Sequence, residues 1–561
     1  MRKLFFYWLT GMSFILSAQN GLTLERLDTF GGTGFDELYA TVVDSQGNVI
    51  NTGLFHDTVD FDPGSGVYEL TSSDNDDIFI QKLSPDGQLL WAKQLGGSNS
   101  DTGLDILTDD NDNVYITGWF MDTVDFDPGS GVYELTSEGS WDVYVLKLDA
   151  NGDFVWAKRF GNDNLDFASS MVMDSSGNIY LTGMFKETVD FDPGTDTFYL
   201  TSNGGWDFFI LKLDANGDFI WAQNLGGTSY DKARDIAIDN DDNLYIAGQF
   251  KDTVDFDYST NVNELTATDN YDAFILKTDT DGNFIWVKQF EGNKREDAVG
   301  VSTDDQQNVY IIGKYMENID VDPGTDVVSF ITGSTNYNAF IVKLDVNGDY
   351  QWARTIESTD FNMFIDVNVI NNKVYAGGYF KGDALIAWES GFYNLTSAGD
   401  RDVIMVVYNA DGDIVDGLNF GSTGTENLYK ITAYDQGIYI GGSFEGTVNF
   451  DETGTGLTAT SNGEKDAYLM KIETPTNATE SLIQSANLKI YPNPAQGHFY
   501  VELQEKQAVQ IEVFDASGKL LVRRNYNDIQ HIPVELSEAK GLLFVQVSGE
   551  NFKEVYKLIA R

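Results

Sequence analysis

One sequence repeat, about 65 residues long, dominates this chain and limits the folds open to it. Segments that read FGG or a close variant start at Phe30, Leu95, Phe160, Leu225, Phe290, Ile356 and Phe420, so their spacings are 65, 65, 65, 65, 66 and 64 residues. A period this long and this regular predicts a solenoid, a propeller or an array. We number the seven units one to seven in chain order.

Within each unit the pattern is that of short strands. In unit one, ELYATVVD and NVINTGLF lie on either side of the DSQGN turn, and DIFIQKLS and QLLWAKQL lie on either side of PDG. Short Asp, Asn and Gly turns between β-rich runs predict hairpins, and no helical periodicity interrupts them. Four strands in each unit are the make-up of a β-propeller blade.

The two ends of the repeat region complement each other. Unit seven stops after its third strand, DAYLMKIE, and an extra strand, LTLERLDTF, precedes unit one. We therefore predict an all-β fold over residues 19–473, a seven-bladed β-propeller closed by the N-terminal strand. Closure of this kind would remove the exposed sheet edges that otherwise promote aggregation.

The consensus of the units is DxFILKLDxNGDFIWAKxFGG followed by DxAxDIAxDSxGNxYLTGxF, and it covers about residues 22–473. This pattern resembles the SBBP-type β-propeller repeats of secreted bacterial proteins. The resemblance implies a seven-bladed propeller. It implies no particular activity, because propellers carry many unrelated functions.

The N-terminal segment has the features of a secretory signal peptide, which we place at residues 1–18. Arg2 and Lys3 precede an apolar run from Leu4 to Leu16, and Ser17 and Ala18 precede the expected cleavage site. The run is too short for a membrane span, and no later stretch approaches the ~20 apolar residues that a spanning helix needs. The sequence thus predicts an exported protein with no transmembrane segment.

The C-terminal segment departs from the repeat. Residues 474–487 are polar and without pattern, as in a linker, and residues 488–561 contain YPNPA, FDASGKLL, GLLFVQV and a terminal KEVYKLIAR. These motifs resemble the C-terminal sorting domain of type IX secretion cargo from Bacteroidota. The resemblance implies a small β-sandwich that engages the type IX secretion machinery. It also implies a secreted or cell-surface location, reached through the periplasm and the outer membrane.

Composition excludes several classes of function. The chain has no cysteine, three histidines and a formal net charge of −53. It therefore has no thiol nucleophile and no cysteine-bound zinc, and little room for a Ser-His-Asp triad. Its charge repels nucleic acid and anionic lipid and favours cations or basic partners. We find no catalytic constellation.

The motif TVDFDPG is the sharpest candidate for a repeated binding site. It occurs from Thr58, Thr123 and Thr188, and as TVDFDYS from Thr253. One interpretation is a calcium site; the other, which we favour, is an extra hairpin that turns at Asp-Pro-Gly and is anchored by its phenylalanine. We predict that the protein requires no cofactor, and calcium is the one ion that we consider as a ligand of this motif. The candidate metal ligands are Asp60, Asp62, Asp125, Asp127, Asp190, Asp192, Asp255 and Asp257.

Three further positions recur from unit to unit. For the tryptophans we favour packing between blades over sugar-stacking platforms, because binding platforms rarely repeat in every blade. For the lysines we favour structural ion pairs. For the acids we leave two roles open: they form a ring around the mouth of a central channel, or they cap the turn before the first strand. The tryptophans are Trp91, Trp156, Trp221, Trp286 and Trp352; the lysines Lys82, Lys147, Lys212, Lys277, Lys343 and Lys471; the acids Asp36, Asp101, Asp166, Asp231, Glu296 and Glu426.

These observations lead to one functional hypothesis and one alternative. The hypothesis is a non-enzymatic, secreted or cell-surface binding or adhesion module, with a glycan or protein ligand on the acidic top face of the propeller. The alternative is a secreted polysaccharide-acting enzyme, a glycoside hydrolase or lyase, with its active site on the same face. A non-repeating pair of acids there would favour the enzyme.

Overall fold

The structure is a computed structural model, and it describes residues 22–332, 335–388, 391–434, 437–451, 456–474, 489–491, 498–515, 520–536, 541–548 and 553–560. The predicted signal peptide and most of the predicted linker lie outside the described residues. Every regular element within them is a β-strand, which confirms the all-β prediction. The chain divides into two compact units, Met1–Thr474 and Pro475–Arg561.

The first three repeats each form a four-stranded antiparallel sheet, in the orders β2-β3-β6-β7, β11-β10-β9-β8 and β12-β13-β14-β15. The strands up to the end of unit three are β1 (Thr23–Phe30), β2 (Glu37–Val43), β3 (Val49–Phe55), β4 (Thr58–Asp60), β5 (Glu69–Thr71), β6 (Asp77–Leu83), β7 (Leu89–Leu95), β8 (Thr102–Thr108), β9 (Val114–Asp125), β10 (Glu134–Leu148), β11 (Phe154–Phe160), β12 (Phe167–Met173), β13 (Ile179–Asp190), β14 (Tyr199–Leu213) and β15 (Phe219–Leu225). Among them, β4 and β5 form a separate two-stranded hairpin, and β1 belongs to the seventh sheet.

Units four to six form the sheets β16-β17-β20-β21, β22-β23-β26-β27 and β28-β29-β32-β33, and the hairpin β30-β31 of unit six extends the fifth sheet to six strands. The strands of these units are β16 (Lys232–Ile238), β17 (Leu244–Phe250), β18 (Thr253–Asp255), β19 (Glu264–Thr266), β20 (Asp272–Thr278), β21 (Phe284–Phe290), β22 (Glu296–Thr303), β23 (Val309–Tyr315), β24 (Asn318–Asp320), β25 (Ser329–Ile331), β26 (Asn338–Leu344), β27 (Tyr350–Ser358), β28 (Asn362–Ile370), β29 (Lys373–Phe380), β30 (Asp383–Trp388), β31 (Gly391–Thr396), β32 (Asp402–Asn409) and β33 (Ile414–Phe420). The pairs β18-β19 and β24-β25 form separate two-stranded hairpins.

The seventh sheet joins the two ends of the repeat region. Its strands are β34 (Asn427–Tyr434), β35 (Gly437–Asn449), β36 (Thr458–Glu473) and β1, which lies at its edge. The register of β1 on β36 pairs Phe30 with Ala467 and Leu27 with Met470. The predicted pairing of the N-terminal strand with the last strand of unit seven is confirmed.

The turns within each sheet follow from their residue types. In the DSQGN turn, Asp44 Oδ1 accepts the backbone N–H groups of Gln46 and Asn48 at 2.9 and 2.8 Å. Gly47 in the same turn has a φ of 79°, a left-handed conformation that glycine adopts at no steric cost. This turn returns the chain into a second antiparallel strand one residue later.

The hydrophobic core lies between neighbouring sheets. One buried cluster joins Ile50 and Ile78 of the first sheet to Ile106 and Phe120 of the second. The first strand of each sheet contacts the first strand of the next, and β34 of the seventh sheet contacts β2 of the first. None of the described sheets closes on itself.

The C-terminal unit is a separate β-structure of five strands in one hydrogen-bonded sheet. They are β37 (Lys489–Tyr491), β38 (His498–Asp515), β39 (Leu520–Glu535), β40 (Gly541–Ser548) and β41 (Lys553–Ala560), in the order β37-β38-β40-β41 with β39 beside β38. The pairing of β38 with β39 shifts between Glu502 and Gln507. Side chains on both sides of this shift, such as Val501 and Ile511, belong to one buried cluster.

Candidate functional site

The TVDFDPG motif forms an extra hairpin, as predicted, and its acids hold that hairpin together. Asp60 Oδ1 accepts the backbone N–H groups of Asp62 and Tyr68 at 3.1 and 2.7 Å. Asp62 Oδ1 accepts the N–H of Gly64 at 2.8 Å. These bonds satisfy backbone donors that a tight turn would otherwise leave unpaired. Asp125, Asp127, Asp190, Asp192, Asp255 and Asp257 repeat the arrangement.

The phenylalanine of the motif anchors the hairpin, which confirms the packing prediction. Phe61 is fully buried, and its ring lies 5.5 Å from Phe30 of the seventh sheet and 5.2 Å from Phe79 of the first. The hairpin thus packs across the junction of two neighbouring sheets. Phe126, Phe191 and Phe256 are buried in the same way.

A residue in the left-handed conformation precedes each hairpin, and the sequence analysis missed it. Asp57 has a φ of 65°, and its N–H donates to Ser72 Oγ at 2.9 Å. The position redirects the chain from the second strand into the hairpin. The equivalent residues, Asp122, Glu187, Asp252, Glu317, Gly382 and Gly446, all have φ between 59° and 75°. The glycines of units six and seven were the sequence signal for it, because glycine is the residue that favours positive φ.

The described residues gather no group of three or more His, Asp or Glu side chains that would suit a metal ion. In the hairpins, one oxygen of each aspartate already accepts backbone hydrogen bonds. The calcium interpretation of these eight aspartates stays a prediction, tested below by titration.

The repeated tryptophans pack between sheets, as favoured from the sequence. The indole N–H of Trp352 donates to the carbonyl of Ala410 at 2.9 Å, in the turn of the next sheet. Gly412 of that turn lies against the indole so closely that a Cβ there would stand 2.6 Å from it. The tryptophan ring therefore needs glycine in the neighbouring turn, and its flat face is covered by protein.

Five of the six repeated lysines form the predicted structural ion pairs, whereas Lys343 donates to the carbonyl of Ala410 at 3.1 Å. Lys82 Nζ lies 2.9 Å from Asp44 Oδ2 in the turn of its own sheet, and it donates to the carbonyl of Ala150 in the next sheet at 3.2 Å. Lys147, Lys212 and Lys277 pair with the equivalent aspartates at 3.4–3.9 Å, whereas Lys471 pairs with Glu25 at 2.9 Å.

The repeated acids before the first strand are buried caps. Asp101 is fully buried; its Oδ2 accepts the N–H of Gly97 at 2.8 Å, and its Oδ1 accepts the N–H of Met121 at 3.0 Å. The alternative in which these acids line a channel mouth is wrong, because burial removes them from solvent. Asp36, Asp166, Asp231, Glu296 and Glu426 are buried to the same extent.

Each cap stands near a second buried acid, which lies in the third strand of the preceding sheet. Burial raises the pKa of Asp101 to about 7 and that of Asp77 to about 6. The charge of Asp77 raises the pKa of Asp101 further, and Asp142 has the same effect on Asp166. Six junctions hold two acids. The seventh holds Asn338 and Asn362 in the same places, with the Asn362 amide 3.4 Å from Asn338 Oδ1.

These junctions make stability depend on pH. A folded-state pKa raised from 3.8 to about 6 or 7 means that folding takes up protons, so stability falls as pH rises through this range. We expect the melting temperature to be roughly 5 °C or more lower at pH 8 than at pH 5. The double variant Asp77→Asn with Asp101→Asn, which copies the natural Asn338–Asn362 junction, should show a smaller fall. An equal melting temperature at the two pH values would refute this interpretation.

A second set of charges lies where the first strands meet, at one position of the repeat that is aspartate in units two, four and six and lysine in unit seven. Lys430 Nζ of unit seven stands 4.0 Å from Asp105 Oδ1 of unit two and 3.9 Å from Asp366 Oδ1 of unit six. The two carboxylates also accept the N–H groups of Met171 and Ile431, in the first strands of the next sheets, at 2.8 and 2.6 Å. The attraction of Asp366 raises the pKa of Lys430, which keeps the lysine charged.

A group of side chains that differs from unit to unit lies around the start of each first strand and on the stretches of the second and third strands beside it. We call these side chains the strand-start cluster; they are Glu37, Tyr39, Trp119, Trp141, Phe167, Trp206, Tyr230, Lys232, Arg234, Tyr271, Arg295, Asp297, Lys314, Tyr379, Arg401, Tyr429 and Lys465. Backbone bonds hold the positions together: the N–H of Asp166 donates to the carbonyl of Trp141, and that of Asp231 to Trp206. The caps beside them repeat, but the cluster differs from unit to unit, and it is rich in aromatic and charged residues.

Aromatic rings form three sectors of the strand-start cluster. In units two and three, Trp119 stacks on Trp141 at 4.2 Å, and Phe167 meets Trp141 edge-on at 5.3 Å. In unit six, the Arg401 guanidinium lies 4.7 Å from the ring of Tyr379. In units seven and one, Tyr39 and Tyr429 pack at 4.9 Å, and both hydroxyls donate to Glu37, which also pairs with Lys465 at 3.0 Å.

The sector of units four and five is cationic. Arg234 and Lys314 share the buried carboxylate of Asp297, at 3.0 and 3.7 Å. Lys232 and Arg295 lie beside them. Sequence analysis predicted an acidic ligand face and missed this basic sector, because its members occupy different strands and form no local run.

The comparisons with known proteins identify both parts of the chain. Residues 90–119 and 220–249 match the family model "Beta-propeller repeat", and residues 489–561 match "Secretion system C-terminal sorting domain". The chain carries SBBP propeller repeats and a type IX sorting domain. Proteins with this sorting domain are exported by type IX secretion to the cell surface or the extracellular space. The described residues contain no helix long and apolar enough to cross a membrane.

Relatives of the propeller repeats are distant. The chain is 25% identical over 330 residues to an uncharacterized WD repeat-containing protein, L264, of Acanthamoeba polyphaga mimivirus, which is 49% of this chain and 24% of that protein. It is 26% identical over 166 residues to the regulatory protein FlaEY of Caulobacter vibrioides, 29% of this chain and 17% of that protein. The chain thus spans about a quarter or less of these relatives.

A solved structure was also matched, the extracellular domain of the putative hybrid two component system BT4673 from B. thetaiotaomicron. The match covers 94% of this chain and 87% of that one, at 12% identity, and its TM-score is 0.19. A score this low carries no argument about the fold.

Proposed function

We propose that residues 22–474 form a seven-bladed propeller closed by β1, and that it works outside the cell as a binding module. Two features support the ring. The first strands contact one another in sequence around to β2. Lys430 of unit seven also lies close to both Asp105 and Asp366, which supports an arrangement of units two, six and seven around one centre.

The observation that carries the binding proposal is the strand-start cluster. Positions that repeat in every unit hold the sheets together, whereas the cluster varies and gathers partly exposed aromatic and charged side chains at one end. Exposed aromatic groups with convergent polar groups are typical of ligand sites. Because the rings are partly open to solvent, they offer flat faces to a glycan or protein ligand.

No specific observation favours the enzyme alternative. An enzyme of this kind would be indicated by a non-repeating pair of acids in the strand-start cluster that form no ion pairs. The two acids of the cluster, Glu37 and Asp297, are each bonded to cations, Glu37 to Lys465 and Asp297 to Arg234 and Lys314. Burial opposes ionisation, but the charge of Lys465 lowers the pKa of Glu37, which favours an ionised carboxylate over a proton-donating acid. A hydrolase screen of the purified protein remains the direct test of activity.

The binding proposal is tested by comparing two exposed tyrosines on glycan and surface-protein arrays. Tyr230 belongs to the strand-start cluster and is 44% exposed, whereas Tyr199 lies in a hairpin and is 63% exposed. We expect Tyr230→Ala to weaken binding of the array ligands about fivefold or more, since aromatic anchors often dominate recognition. Tyr199→Ala should bind like the wild type. Equal binding by all three proteins would place the ligand site elsewhere.

A further inference from the structure

The cationic sector is unusual because the chain around it is so acidic. The protein has 88 acidic and 35 basic residues. At the starts of β16 and β22 and the end of β23, however, four cations surround the single carboxylate of Asp297. Counting Lys232, Arg234, Arg295 and Lys314 against that one acid, 4 − 1, leaves three positive charges.

Two of the four cations have no acid of their own. Arg234 and Lys314 are the partners of Asp297. In the part of the chain that the structure describes, no carboxylate lies within ion-pair distance of Lys232 or Arg295. Arg295 Nε donates to Gln249 Oε1 at 3.2 Å.

Holding these cations together has an energetic cost. Burial lowers the pKa of Lys232, and the nearby charges of Arg234, Arg295 and Lys314 lower it further. Asp297 opposes this effect but does not cancel it. An anion placed beside Lys232 and Arg295 would relieve the repulsion and form charge-assisted hydrogen bonds with both.

Aromatic rings line the same place. The Lys232 ammonium lies 5.8 Å from the ring of Trp206, and the Arg295 guanidinium lies 4.9 Å from that of Tyr271. Tyr230, which is partly exposed, packs against Trp206 at 5.2 Å. Tyr and Trp combine an apolar face with a polar tip, which suits a ligand that has both C–H faces and hydroxyl groups.

We propose that Lys232 and Arg295 bind the carboxylate of an acidic sugar, a uronate within a short or sparsely charged glycan, whose ring lies against the neighbouring aromatic side chains. This inference rests on the proposed binding function and names its ligand class. A long polyanion or a nucleic acid is disfavoured, because the net charge of −53 repels it outside the basic sector.

The test uses the full exported chain and two matched probes, a galacturonate trimer and the neutral galactose trimer of the same linkage. Calorimetry should show binding of the acidic trimer, at least about tenfold weaker binding of the neutral one, and weaker binding at high salt. Lys232→Gln and Arg295→Gln should each lower the affinity for the acidic trimer about tenfold, and the double variant should show no binding. Lys288→Gln, on the outer strand of the same sheet, makes the same charge change as a control and should bind normally.

The outcomes separate this inference from the function on which it rests. Equal affinity for both trimers, unchanged binding by the double variant, or no binding of the acidic trimer by the wild type would each overturn the acidic-sugar assignment. If neutral ligands then still bind in a way that depends on Tyr230, the proposed binding function stands without it. Binding of a tetraglutamate peptide in preference to the acidic trimer, lost in the same double variant, would overturn the sugar class and indicate an acidic protein partner.

Discussion

A chain that lacks residues 19–29 is expected to aggregate, or to melt far below the intact protein. These residues form most of β1, which pairs with β36 from Thr23 to Phe30. Without them, the edge of β36 would present unpaired N–H and C=O groups, and exposed strand edges of this kind promote aggregation. Leu24 and Leu27 would also leave the hydrophobic cluster that they cover in the seventh sheet.

The measurement is thermal unfolding with light scattering, on the truncated and intact proteins. Adding a synthetic peptide of residues 22–30 should restore part of the lost stability, since the strand needs no covalent link to pair with β36. Removal of residues 489–561 is the matched control, because they belong to the other compact unit and should leave the melting of the repeat region unchanged. If the N-terminal truncation melts like the intact chain, closure by β1 is wrong.

The second large effect is expected from Phe126→Ala in the hairpin of unit two. Phe126 is fully buried, and its ring lies 5.2 Å from Phe120 and 5.0 Å from Tyr144. Removing a buried phenylalanine typically costs ~3–5 kcal/mol in the free energy of unfolding. Denaturant unfolding of the variant should therefore show a clear loss of stability.

The aspartates of the same hairpin provide the comparison. Asp125 Oδ1 accepts the N–H groups of Asp127 and Tyr133 at 3.1 and 2.7 Å, and an asparagine oxygen can accept the same bonds. The double variant Asp125→Asn with Asp127→Asn should change stability by ~0.5 kcal/mol or less in chelator. Asp125→Ala, which removes the acceptor, should cost ~1–3 kcal/mol.

Calcium titration completes this comparison. If the hairpins bind calcium, the ion should raise the melting temperature of the wild type by mass action, and the double Asn variant should lose part of that gain. No effect of calcium on the wild type would end the metal interpretation of the hairpin aspartates. If the double Asn variant unfolds in chelator while Phe126→Ala leaves stability unchanged, the explanation of the motif by phenylalanine packing is wrong.

Much of the architecture could be predicted from the sequence because it depends on short-range, repeated signals. The turn DSQGN predicts a hairpin, since Asp44 bonds the turn's own N–H groups and Gly47 supplies a positive φ. Seven copies of these turn and strand signals predict seven sheets, and the repeat region forms one sheet for each unit. The phenylalanine of TVDFDPG was also placed correctly in the core, because an alternating strand sends its neighbouring acids to the other side.

The role of the capping acids depended on tertiary contacts. Asp101 bonds the N–H groups of Gly97, four residues earlier, and Met121, twenty residues later. From the sequence, these acids could either line a channel mouth or cap a turn, because nothing in the local pattern indicates whether solvent reaches the side chain. The burial of Asp101 in the structure identifies it as a cap. The packing of neighbouring sheets brings it near Asp77.

The sequence alone determined the repeat, the strand pattern, the unpaired first strand and the C-terminal sorting domain, because each depends on residues that are close in the chain or recur at a constant spacing. Only the tertiary structure brought Lys232, Arg234, Arg295 and Lys314 around Asp297. These residues come from two units and several strand ends, so no linear pattern connects them. Their proximity arises from the packing of one sheet against the next.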